Sequence, residues 1–268
     1  MKILLLLFAC ELLLAWGKTG HRVVGEIAER NLEPEVQEKI RRVLDGGSLA
    51  EASTWADEIR SDSRYDGWGK FHYSNYFKNS RYQGKNKKAP YDIVSKMQEI
   101  ETRWRGDELR AEDIRLYVHF MGDLHQPLHA GSAKDSGGNR CFVKWFGEST
   151  NLHRVWDEHL IDSQKLSFTE WSNFLLNRDL DKDSLQGDLV EWIEESHGYY
   201  PTVYPSAKKD AKGKDINYCV ISSLSVPAEK YQPNLGYDYS YEHMPLVKRQ
   251  LLLAGKRLAK KLNESLRD

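Results

Sequence analysis

Two stretches of the chain pair a histidine with an aspartate four residues later. In "HFMGDLHQPLH" they are His119 and Asp123, with His129 close behind, and in "NLHRVWDEH" they are His153 and Asp157. On a helix, residues four apart project from one face, and imidazole beside carboxylate is an ordinary zinc ligand set. One such pair usually marks a helix surface. Two pairs, one of them inside a segment that is apolar on nearly all sides, need another account, because an uncompensated ionisable group in a core costs several kcal/mol. Upstream, "TWADEIR" offers Asp57 and Arg60, and "KFHYSN" offers His72, Tyr73 and Asn75. "GGN" ends in Asn139, where two glycines permit close backbone approach. Taken singly, each of these has a plainer reading as a solvated helix residue or as packing.

The elements that must position these side chains read mostly as helix. Val24, Ile27, Ala28 and Asn31 recur at helical spacing, Pro34 opens "PEVQEKIRRVL", and "SLAEASTWADEIR" continues the pattern. Ile114, Tyr117, Val118, Met121 and Leu124 recur at three and four residues, with Leu116 and Phe120 on other faces, which predicts a buried helix. Pro127 limits its length. "GGNRCFVKWF" predicts a short strand after a glycine turn, and "HGYYPTVYPSAKKDAKGKDINY" a long surface excursion. "MPLVKRQLLLAGKRLAKKLNE" predicts an amphipathic helix packed on the core. No repeat or composition break divides the chain, so the expected fold is mainly α: a single-domain multi-helix bundle with few short strands.

Residues 1–15, "MKILLLLFACELLLA", combine Lys2, an apolar run and Ala15 ahead of a cut, which is the pattern of a signal peptide. The run is short for a membrane span. An alternative processing site at Cys10, as in lipoproteins, leaves the Trp16 of "AWGKTGH" unexplained. The expectation is an exported protein, periplasmic or extracellular, whose mature domain covers 16–268. Removing the leader leaves Cys141 and Cys219; spacing leaves their pairing open. Basic and acidic residues number 39 and 40 and are well mixed, giving a net charge of −1. That excludes a protein gripping duplex nucleic acid through a basic surface.

Together, Trp16-Gly17 with His21, "TWADE", "FHY", "HFMGDLHQPLH", "GGN" and "NLHRVWD" resemble the S1/P1 nuclease family, zinc-dependent enzymes acting on single-stranded nucleic acid and 3′-nucleotides. The resemblance covers Trp16 to about Asp157 by motif. It implies three Zn²⁺ in one cleft. Trp16, as the mature N-terminal residue, would give its amino nitrogen and carbonyl oxygen to one zinc alongside His21. Asp57, His72 and His119 would hold a second, Asp123 would bridge the two, and His129, His153 and Asp157 would hold a third. An α-amine can ligate only after cleavage, so processing would complete the site. The implied mechanism is attack on phosphorus by a zinc-bridged hydroxide, with Asp57 orienting it, Arg60 on the phosphate and Asn139 hydrogen-bonding nearby. The implied substrates are single-stranded DNA and RNA, cut to 5′-phosphorylated products, and 3′-nucleotides. Neither a stable protein partner nor a membrane span is expected.

Tyr73 and Asn75 depart from the family pattern, standing where fungal members carry Phe and Asp. Tyr73 still offers a stacking face, worth about 1–3 kcal/mol per base, while Asn75 replaces an acceptor-only carboxylate with an amide. Two rival readings are a zinc phospholipase C and a secreted binding protein braced by structural zinc. In the lipases the N-terminal Trp stands farther from its His and the last ligand is Glu. Structural zinc sites are closed and often cysteine-rich, unlike this His/Asp set.

Overall fold

Helix α1 (Lys18–Glu29) turns Val23, Val24, Ile27 and Ala28 inward, all without solvent exposure. The computed structural model describes residues 16–74, 76, 81–82, 92–106, 108–220 and 229–267. The leader at 1–15 and Asn75 lie outside the described residues. After α1 come α2 (Pro34–Val43), α3 (Leu49–Ala52) and α4 (Trp55–Glu58), then α5 (Ile93–Arg105) and α6 (Ala111–Leu124). Strands β1 (Phe142–Trp145) and β2 (Glu148–Asn151) form a hairpin. They are followed by α7 (Leu152–Arg154), a π turn (Val155–His159), α8 (Leu160–Asp162), α9 (Phe168–Leu176), α10 (Leu189–Tyr199), strand β3 (Asn234–Leu235) and α11 (Tyr237–Leu266).

Local chemistry starts these helices where the chain needs them. Asp92, Ser167 and Asp188 each form a reciprocal capping box with the residue three positions on, at the starts of α5, α9 and α10. Such caps satisfy amides that would otherwise lack partners and are each worth about 1 kcal/mol. Pro34 occupies the first turn of α2, where its missing N–H costs nothing.

The central element is α6. Ile114, Tyr117, Val118, Met121 and Leu124 are fully buried, and Leu116 and Phe120 nearly so, which gives the all-round burial its sequence predicts. Helix α1 packs on α6, α3, α9 and α11, and α11 also covers α5 and α6. Gly255 of α11 permits the α1 contact, since a Cβ there would come within 2.5 Å of the Ile27 side chain. Helix α11 starts about two turns earlier than its sequence pattern suggests and contains Pro245. The expected run "SLAEASTWADEIR" is broken into α3, α4 and a 3₁₀ turn, Ile59–Ser61.

The sheet is small, in the order β2-β1-β3, with β1 antiparallel to β2 and parallel to β3. Cys141, just before β1, is disulfide-bonded to Cys219, which settles the pairing that spacing left open. The bridge fastens the 217–220 segment beside β1, where the Phe142 amide donates to the Tyr218 carbonyl. No helix among the described residues is long and apolar enough to cross a membrane.

Candidate metal centre

Helix α6 carries His119 and Asp123 one turn apart, both without solvent exposure. Around them the fold gathers three groups whose ligand atoms lie within 4.8 Å of one another: His21, His119 and Asp123; Asp57, His72 and His119; and His129, His153 and Asp157. His21 comes from α1, Asp57 from α4, and His72 from the end of a 3₁₀ stretch, Trp68–His72. His129 sits in the 3₁₀ turn Pro127–Ala130, started by Pro127 just after α6 ends. His153 and Asp157 span α7 and the π turn that follows, so their four-residue spacing is realised on a widened helix of a kind frequent at functional sites.

Asp123 is the hub. Its Oδ1 lies 3.3 Å from His21 Nε2, and its Oδ2 lies 3.3 Å from His119 Nε2 and 3.0 Å from His72 Nδ1. Asp57 Oδ1 is 3.8 Å from His119 Nε2 and 3.9 Å from His72 Nδ1. In the third group, Asp157 Oδ1 is 3.7 Å from His129 Nε2 and Oδ2 is 3.1 Å from His153 Nε2.

Backbone carbonyls orient the imidazoles. His119 Nδ1 donates to the Ser53 carbonyl at 2.7 Å, His129 Nδ1 to the His72 carbonyl at 2.6 Å, and His153 Nδ1 to the Gly137 carbonyl at 2.7 Å. A proton fixed on Nδ1 leaves Nε2 with a free lone pair, which is the tautomer a metal ligand needs. Gly137 adopts φ +61°, and a Cβ there would collide with the Leu128 carbonyl at 2.3 Å, so only glycine can bring this carbonyl to His153. Gly122 makes a second close approach, since a Cβ there would stand 2.9 Å from His21 Nδ1.

The donor set fits divalent metal ions. Both nitrogens of His21, Oδ1 of Asp57, Oδ1 of Asp123 and Nε2 of His129 and His153 are buried without a hydrogen-bond partner. Orphaned polar atoms on this scale are rare in a native interior unless something compensates them. The charges confirm the stress. Burial and the neighbouring His119 push the His21 imidazole below its ordinary range, and burial takes His72 down to about 4. At His129 burial opposes the charge, but Asp123 and Asp157 outweigh it and raise the ring to about 9. Burial likewise works against the Asp123 carboxylate, and the surrounding imidazoles more than reverse it, holding the group well below the usual range.

A pocket of about 110 Å³ opens beside the ligands, lined by Arg60, His72, Tyr73, Leu128, His129, Ser136, Asn139 and His153. Arg60 lies in the 3₁₀ turn Ile59–Ser61, rather than on a continuous helix, and its guanidinium pairs with Asp57 Oδ1 at 3.2 Å. Asn139 is half-buried, and its side-chain amide donates to the Ser136 carbonyl at 2.9 Å. Trp16 is fully buried and packs its side chain near Gly20 and Gly122. His125 stands apart from the ligands: its Nδ1 donates to the Met121 carbonyl and its Nε2 meets the Arg257 guanidinium at 2.9 Å, a structural role.

Sequence reasoning missed Gln126, whose Nε2 donates to Asp157 Oδ1 at 2.6 Å. The one available signal was its place between Asp123 and His129. The orienting carbonyls of Ser53, His72 and Gly137 have no side-chain signature at all.

A helical fold enclosing three clusters of imidazole and carboxylate beside an open pocket defines a hydrolase-like centre able to hold several metal ions. The pattern of the S1/P1 Nuclease family matches residues 16–267, and the chain belongs to that family. It is therefore an enzyme of the nuclease class. Endonuclease 5 of Arabidopsis thaliana is 29% identical over 276 residues, covering 93% of this chain and 90% of the relative. Nuclease P1 of Penicillium citrinum is 27% identical over 266 residues, covering 93% and 97%. Nuclease S1 of Aspergillus oryzae is 29% identical over 167 residues, covering 56% of each chain.

Proposed function

We propose that the mature chain is an exported three-zinc enzyme that hydrolyses single-stranded DNA and RNA to 5′-phosphorylated products and removes the 3′-phosphate from nucleotides. The observation that carries this reading is Asp123, whose two oxygens face His21 on one side and His72 with His119 on the other. Such a carboxylate is suited to bridging two ions. His119 has only Nε2 to offer, because Nδ1 is committed to the Ser53 carbonyl. That nitrogen lies in both candidate groups, and giving it to Asp57 and His72, as the family resemblance implies, leaves His21 and Asp123 as an incomplete set. The amine and carbonyl of a trimmed Trp16 would complete it, and the family match begins at Trp16.

Zinc bound in this arrangement supplies an acidified water and positive charge against the phosphate oxygens. The chain's own residues do the rest. Asp57 accepts a hydrogen bond from the attacking water and aims it at phosphorus. Arg60 binds a phosphate oxygen, and its ion pair with Asp57 keeps it at the pocket wall. Asn139 donates near the scissile group, and Tyr73 gives the adjoining base a stacking face. Asn75 is assigned to base contact by its sequence position alone. Because charge is concentrated on the ions, a chain with net charge −1 can hold a polyanion. The disulfide supports export, since such bridges persist in oxidising compartments, and removal of 1–15 would free the Trp16 amine.

The test is to incubate zinc-loaded mature protein with a single-stranded oligonucleotide, its duplex, 3′-AMP and phosphatidylcholine vesicles. Cleavage of the single strand to 5′-phosphate ends, phosphate release from 3′-AMP, and loss of both on chelation are expected. Lipid turnover with intact DNA would replace this reading with a phospholipase.

A further inference from the structure

Gln126 is fully buried between the end of α6 and the turn that bears His129. Its Nε2 donates to Asp157 Oδ1 at 2.6 Å, and its Oε1 accepts the Leu128 amide at 2.5 Å. An amide N–H can only donate, so Leu128 dictates which end of the Gln126 side chain faces the carboxylate. The Gln126 backbone is equally committed. Its N–H donates to the Asp123 carbonyl at 3.0 Å, and its carbonyl accepts from the His129 amide at 3.0 Å. One residue therefore ties together the ligand near the end of α6, the turn carrying His129 and the π turn carrying Asp157. With Oδ1 of Asp157 engaged, Oδ2 is the oxygen beside His153, 3.1 Å from its Nε2.

We propose that Gln126 is a positioning residue for the His129–His153–Asp157 cluster, holding the Asp157 carboxylate in one orientation and so setting that cluster's affinity for its ion. The inference rests on the metal reading above. Three features of the side chain matter. Its N–H takes a lone pair of Oδ1, which fixes the plane of the Asp157 carboxylate and favours Oδ2 as the ligating oxygen. Its neutrality avoids placing a second negative charge against Asp157. Its carbonyl keeps the Leu128 amide, and hence the His129 turn, in register. Outer partners of metal ligands typically govern affinity by about 10–100-fold.

Two variants separate the hydrogen bond from packing. Gln126→Glu keeps the length and the acceptor for Leu128 but loses the donor; Gln126→Met keeps the length and loses both polar groups. Zinc per chain is measured on the full mature protein after equilibration with graded dipicolinate, with circular dichroism as the check on folding. Both variants are expected to release one zinc at about 10–100-fold lower chelator than the wild-type chain, while the remaining ions leave at the wild-type concentration. Where one variant fails to fold, the other decides. Release of every ion at the wild-type concentration would overturn the inference, as would loss of all ions together at lower chelator. A wild-type chain that never holds three ions would remove the underlying metal reading, and this inference with it.

Discussion

Asp123 shows how one side chain can carry several obligations. It is fully buried, faces four imidazoles and leaves Oδ1 without a hydrogen-bond partner. Asp123→Asn removes the charge and replaces an oxygen by an amide; on the proposed reading, in which Asp123 serves two ions, both would lose a ligand at once. The expected result is a loss of activity well beyond about a hundredfold, larger than the loss of an outer partner produces, with zinc content falling by more than one ion per chain; kinetics and metal analysis on the same preparation check both. Retained zinc would mean that Asp123 is not shared. At this scale the candidate ligands were legible from sequence because imidazole and carboxylate side chains are themselves the chemistry. The carbonyls of Ser53, His72 and Gly137 were not, since every residue has a carbonyl and only the fold selects three of them.

The helices form a frame whose polar ties lie behind the site. Arg257 of α11 has a nearly buried side chain and donates to Glu195 of α10 at 2.6 Å, to the Ser184 carbonyl and to His125. Glu195 also pairs with Arg249 at 2.7 Å. Burial opposes the Glu195 charge, but the two guanidiniums outweigh it and hold its carboxyl below the ordinary range. A carboxylate depressed in the folded state contributes stability above its unfolded pKa and loses it as pH falls through the folded value. Glu195→Gln leaves Arg257 without its counter-charge and should destabilise the fold at neutral pH by about 3 kcal/mol. Urea unfolding at pH 7 and at pH 3.5 should show the gap to the wild-type chain narrowing in acid; a constant gap would assign the loss to packing. Periodicity found α1, α6 and the body of α11, because burial repeats at helical spacing. It did not find the break between α3 and α4 or the π turn at Val155–His159, irregularities that stand beside Asp57 and hold Asp157.

Across the whole molecule, the clusters lie where α1, α4, α6, the His129 turn and the π turn converge, so ions bound there would join segments distant in sequence. Chelation leaves the same buried carboxylates and imidazoles to repel or to protonate. Each ion held at 100 times its dissociation constant adds about 2.7 kcal/mol. Calorimetry should therefore show the midpoint falling by on the order of 10 °C for the metal-free chain, and restored zinc should return it. An unchanged midpoint would mean that the helices hold without metal.

The sequence by itself determined the imidazole and carboxylate candidates, the helical class and the family, because side-chain identity and apolar spacing are local properties of the chain. Tertiary structure alone decided that Asp123 faces two sides, that Gln126 reaches Asp157, that Cys141 bonds Cys219, and that three particular carbonyls set the imidazole tautomers. Those contacts join residues as distant in the chain as His21 and Asp123, or Cys141 and Cys219. Spacing along a polymer does not constrain such distances; only the packing of helices against one another does.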